Sequence, residues 1–197
     1  TGEIYWQISD VPAAQWFIYE SGFGAQEGAG AQYGRAIYLA TISNGRLIKY
    51  DPYTGAVSQN ISIAPITSGT LYANTDWAYF YSVQTLGSGA SAKYRLLNWT
   101  VHGDIGASSR QENISLRIIS NITWPFNTLG TVDYESGIAC NVVAQQNAGL
   151  GAGIDANITA VSLDTGQVLW SKMANVPYSV WPSETIADHG KLAVRFE

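Results

Sequence analysis

Asn157-Ile-Thr-Ala-Val-Ser-Leu-Asp-Thr-Gly-Gln-Val-Leu-Trp170 is the stretch that decides the fold. A β-branched run leads into Asp164-Thr-Gly166, which supplies the chemistry of a tight turn, and a second apolar run returns to end on Trp170. The same order appears upstream in Gly45-Arg-Leu-Ile-Lys-Tyr-Asp-Pro-Tyr-Thr-Gly-Ala-Val57, where Asp51, Pro52, Thr54 and Gly55 make a turn of slightly greater length. The chain also opens on it: Thr1-Gly-Glu-Ile-Tyr-Trp6 matches Thr165-Gly-Gln-Val-Leu-Trp170 position for position. A degenerate copy reads at Tyr94-Arg-Leu-Leu-Asn-Trp-Thr-Val-His-Gly103, so turn glycines fall at 2, 55, 103 and 166, at intervals of 53, 48 and 63 residues. Four short strands and their connections need about that length.

The rest of the chain is read in the same way. Short runs such as Arg35-Ala-Ile-Tyr-Leu-Ala-Thr41, Asp76-Trp-Ala-Tyr-Phe-Tyr-Ser82 and Lys191-Leu-Ala-Val-Arg-Phe196 stand between Gly, Asn, Asp and Pro punctuation, and no sustained 3.6-residue apolar period occurs. The expected class is all-β. These repeats resemble those of the pyrroloquinoline-quinone (PQQ) propellers, whose hallmark is an apolar strand, an Asp and Thr-Gly turn, and a strand ending in Trp. The resemblance implies β-propeller blades of four-stranded antiparallel sheets over most of the chain. About three full blades are expected, at 9–60, 61–115 and 116–173, with partial strands at both ends and a further blade starting at 174–197. It also implies that Trp6 and Trp170 pack between neighbouring blades. The pattern departs at Gln59, which stands where the second copy needs Trp. So short an array would expose apolar blade faces, so flanking sequence or self-association through blade edges is expected.

Composition bounds the partners. With 10 Lys+Arg against 15 Asp+Glu the net charge is −5, and no basic run exists to meet a phosphate backbone. Only 13% of residues are charged, so something besides charge must keep the surface soluble. Glycan is the candidate: Asn60, Asn98, Asn113, Asn121 and Asn157 each head an Asn-x-Ser/Thr acceptor triplet, where chance placement gives about two. N-linked glycans place the chain outside the cell or on its surface. No apolar stretch approaches a membrane span.

Catalytic and ligand-binding patterns are sparse. Asp164-Thr-Gly166 is also the core of the aspartic protease loop, but that chemistry needs two facing carboxylates and the triplet occurs once. His102 and His189 are the only histidines, without a Gly-x-Ser-x-Gly elbow, and Cys140 is the lone cysteine in an apolar run that reads as a buried thiol. Neither zinc nor EF-hand spacing occurs, and the glycine-rich stretches at 22–30 and 149–153 fit no phosphate-binding fingerprint. Twenty-four aromatic residues could form a ligand face, but alternation in 76–82 assigns Trp77, Tyr79 and Tyr81 to a core side. No catalytic, cofactor-binding or metal residue is therefore assigned. The expected role is a non-catalytic extracellular scaffold or interaction module with protein partners. The alternatives are part of a quinoprotein dehydrogenase, with PQQ and calcium as cofactors, and a carbohydrate-binding propeller.

Overall fold

The computed structural model describes residues 4, 6–7, 16–21, 36–74, 78–101, 118–147, 153–177 and 180–197. Thr1, Gly2, Trp77, His102, Gly103 and Asn113 lie outside the described residues. The chain is all-β, with four-stranded antiparallel sheets. Sheet 1 holds β1 (Trp16–Ser21), β2 (Ala36–Ser43), β3 (Arg46–Tyr50) and β4 (Val57–Ser62) in chain order. Sheet 2 repeats that order with β5 (Thr70–Asn74), β6 (Ala78–Leu86), β7 (Lys93–Thr100) and β8 (Ile118–Trp124). Sheet 3 repeats it again with β9 (Thr131–Asp133), β10 (Ile138–Gln146), β11 (Ile154–Ser162) and β12 (Val168–Val176). A two-stranded sheet follows, β13 (Pro182–Asp188) with β14 (Lys191–Phe196). Among the described residues the one helical piece is a 3-10 turn at Gly89–Ser91. Strand β7 ends at Thr100, and β8, the last strand of sheet 2, runs from Ile118 to Trp124.

Two compact units divide the chain, Thr1–Ser82 with Leu97–Ser120, and Val83–Leu96 with Asn121–Glu197. In the first, Phe17, Ala40, Ile42 and Leu47 of sheet 1 pack with Ala78, Phe80, Leu97 and Trp99 of sheet 2. Phe80 stacks on Trp99 with centroids 4.6 Å apart, and Phe17 meets Phe80 edge-on at 5.1 Å. Trp99 is fully buried, and its indole N–H donates to Ser82 Oγ at 2.8 Å while that hydroxyl donates to the Ser68 carbonyl. Both faces of β6 are packed. Ala78, Phe80 and Ser82 face this core, and Tyr81, buried as expected, stacks on Tyr72 at 4.6 Å on the other side. A period of two fixes which residues share a face but leaves open which face meets the larger apolar neighbour.

In the second unit Ile154, Ala156, Ala160 and Val161 of β11 are fully buried beside Ala139 of β10. The β13–β14 hairpin turns at His189-Gly190 with φ of 49° and 69°, matching β2–β3, which turns at Asn44-Gly45 with 49° and 72°. Positive φ at both central residues belongs to a two-residue hairpin turn, and the Gly tolerates it without strain.

The two Thr-Gly turns prove equal in length. Asp51 Oδ1 accepts the Tyr53 and Thr54 N–H groups at 2.8 and 2.9 Å, and the Gly55 N–H donates to the Asp51 carbonyl at 2.9 Å. In the later copy Ser162 stands at the head: its Oγ accepts from the Asp164 and Thr165 N–H groups, and its carbonyl accepts from Gly166 N–H at 2.9 Å. A β-bulge precedes each head residue, at Lys49/Tyr50 and Ala160/Val161, and the next pairs are Tyr50 with Val57 and Val161 with Val168. Asp164 thus corresponds to Tyr53 and not to Asp51. The glycines have φ of +70° at Gly55 and +71° at Gly166, and each is closely approached: a Cβ on Gly55 would lie 2.7 Å from the Trp6 ring, and one on Gly166 would strike the Thr123 carbonyl. Replacing Gly166 by Val is expected to lower stability by about 1 to 3 kcal/mol, through positive φ and lost close approach. Urea denaturation checks this, and an unchanged midpoint would refute the turn geometry.

Candidate functional site

Trp6, of the first Thr-Gly copy, uses the turn of sheet 1 as its seat. Its Nε1–H donates to the Pro52 carbonyl at 2.8 Å and its ring lies over Gly55. Only a residue without a Cβ permits that contact. Asp51 holds the turn below the indole. The Thr54 N–H first, then the Tyr53 N–H, lower its carboxyl below the ordinary 3.8.

Trp170 occupies the corresponding place after Gly166 and has another environment. It is 39% exposed and lines a shallow hollow, partly open to solvent, with Asp133, Ile138, Cys140 and Leu192. Lys172 Nζ lies 5.9 Å from its ring centroid, within cation–π reach. The carboxylate in this hollow is committed to structure. Asp133 Oδ1 accepts Ser136 N–H at 3.1 Å, and Oδ2 accepts Gly190 N–H at 2.6 Å, tying the end of β9 to the β13–β14 hairpin. The thiol of Cys140 is buried, and burial first, then the Asp133 charge, raise its pKa and keep it neutral. That agrees with the inert thiol read from the sequence. His189 is exposed, with Nδ1 2.8 Å from Asp188 and Nε2 3.9 Å from Glu135. Among the described residues no cluster of three or more His, Cys, Asp or Glu could hold a metal, and no helix is long and apolar enough to cross a membrane.

Asp133 heads a turn that sequence reading missed. Asp133-Tyr-Glu-Ser-Gly137 repeats the spacing of Asp51-Pro-Tyr-Thr-Gly55, with φ of +65° at Gly137, but joins β9 to β10 instead of the last two strands of a sheet. Without a following Trp, the only signal was the Asp-x-x-Ser-Gly spacing itself.

The acceptor triplets fall on two kinds of strand. Asn60 and Asn121 are exposed on β4 and β8, the last strands of sheets 1 and 2. Each is gripped from the neighbouring strand by an arginine that sequence reading passed over. Arg46 donates to Asn60 Oδ1 through Nε and to the Asn60 carbonyl through Nη2 at 2.9 Å. Arg95 makes the same pair of bonds to Asn121, both at 2.7 Å. Asn98 and Asn157 lie on β7 and β11, inside their sheets, and are half-buried; Asn98 Oδ1 accepts from Tyr72 Oη at 3.0 Å and Asn157 Oδ1 from Ser171 Oγ at 2.6 Å.

The Gly190 N–H first, then the Ser136 hydroxyl and N–H, hold the Asp133 carboxyl below its ordinary 3.8. A lowered carboxyl pKa stabilises the fold above the unfolded value and loses that effect as pH falls through the folded value. Asp133→Ala is therefore expected to be destabilised at neutral pH, with the gap from the parent narrowing below about pH 4. Denaturation midpoints at pH 7 and pH 3 check it, and an equal gap at both would show that the charge is irrelevant.

Comparison with protein-family models, with curated proteins and with solved structures finds no match.

Proposed function

We propose that this chain is a stretch of propeller blades, of the kind the PQQ-like repeats resemble, serving as a non-catalytic, N-glycosylated scaffold or interaction module outside the cell. The observation that carries the reading is repetition. Three successive sheets are each built from four consecutive strands in chain order, and sheets 1 and 3 share one turn between their third and fourth strands. Blades of this kind bury their faces against one another, in keeping with the apolar contact between sheets 1 and 2 within the first unit. A scaffold role is favoured because the Asp133 carboxylate in the hollow beside Trp170 is engaged in holding the hairpin and the adjacent thiol is neutral. Exposed Asn60 and Asn121 suit a glycoprotein surface that carries few charges. Protein partners or further copies of the chain would meet it through exposed strand edges.

Secreted by a host that glycosylates Asn-x-Ser/Thr, residues 1–197 are expected to run above the 21.3 kDa of the bare chain and to return to it on chemical deglycosylation. Intact-mass spectrometry makes the measurement, and a bare mass from a competent host would remove the extracellular reading.

A further inference from the structure

We propose that the glycans sit on Asn60 and Asn121 in particular, and that they guard the open edges of sheets 1 and 2 against pairing with other strands. The inference rests on the glycoprotein reading above and assigns its sites and their purpose.

The last strand of a sheet presents unpaired N–H and C=O groups, and soluble proteins blunt such edges with charge, proline or covering structure. The last strands here are β4, β8 and β12. Strand β12 carries Lys172, whereas β4, Val-Ser-Gln-Asn-Ile-Ser, and β8, Ile-Ile-Ser-Asn-Ile-Thr-Trp, contain neither charge nor proline. Both are β-prone, neutral segments of the kind that recruit further strands. They are also the two last strands that hold an acceptor triplet, while β12 holds none. The guard that neither strand carries as a charge of its own is thus encoded as a sugar site.

Geometry separates these two asparagines from Asn98 and Asn157. A glycan must be accommodated by the folded sheet once it is attached. Asn60 and Asn121 are exposed, and Arg46 and Arg95 hold Oδ1, so Nδ2 is the carboxamide atom that remains for the sugar. Asn98 and Asn157 are half-buried on strands inside their sheets and are less accessible. The attachment uses a polyisoprenyl-pyrophosphate-linked oligosaccharide as donor. The Nδ2–C1 bond forms, the C1–O bond to pyrophosphate breaks, one Nδ2 proton passes to a base of the transferase, and the lipid pyrophosphate leaves.

The test is site occupancy in the secreted protein, by peptide mass spectrometry, together with Ser62→Ala/Thr123→Ala. That pair abolishes both triplets but keeps the asparagines and their arginine bonds. Expected are occupied Asn60 and Asn121, bare Asn98, and a double variant of unchanged circular dichroism that shifts to dimers or larger species in light scattering. Adding Ser58→Lys and Ile119→Lys, at exposed positions of β4 and β8, should restore the parent's size, which a merely misfolded variant would not show. Occupancy elsewhere but not at Asn60 and Asn121 overturns the assignment and leaves the glycoprotein reading standing. No occupancy at any triplet overturns both. A double variant that keeps the parent's size, or an association that the lysines do not reverse, overturns the guard role.

Discussion

A backbone that turns left at one residue governs this structure. At Gly55 and Gly166 positive φ closes the last hairpin of a sheet, and the absent Cβ lets another segment press against the turn, Trp6 in one case and Thr123 of β8 in the other. A side chain at either glycine would cost twice, in backbone strain and in lost approach. The head residue completes the device by offering an acceptor to two N–H groups that the turn leaves without a ladder partner. Hairpin closure and the docking of a neighbouring segment are therefore one event.

Much of this was legible in the sequence. The short strands, the all-β class and the hairpins around Gly55 and Gly166 follow from turn chemistry and β-branched runs, which act over a few residues. The role of Ser162 was hidden because Asp164-Thr-Gly166 looks complete in itself, although the acceptor lies two residues earlier. A hydroxyl and a carboxylate are interchangeable there, so residue type misled where hydrogen bonding did not. Asp133-Tyr-Glu-Ser-Gly137 escaped notice because no Trp follows it. The grip of Arg46 on Asn60 and of Arg95 on Asn121 could not be read at all, since it depends on cross-strand register. That the Phe80 side of β6 is buried as well depended on which neighbour Phe80 would meet, which is a tertiary fact.

Side-chain polarity is distributed to suit these constraints. In the interior, Trp99 and Ser82 satisfy each other and the Ser68 carbonyl, so a large indole is buried without an orphaned donor. Asp133 spends its carboxylate on joining β9 to the β13–β14 hairpin. At the edges, arginines orient asparagines on strands that carry no charge of their own. The same economy of charge that marks the composition appears here as polar groups assigned one at a time to places where backbone would otherwise be unsupported.

The turn asks little of its third residue. Tyr53 stands where the later copy has Asp164, chemically unrelated side chains on one backbone, and both are exposed. The second residue is less free, since Leu163 is buried. Random mutation can therefore drift at the third position with little penalty while the head acceptor and the glycine stay fixed, so new surface specificities can be sampled there without first being compensated in the core.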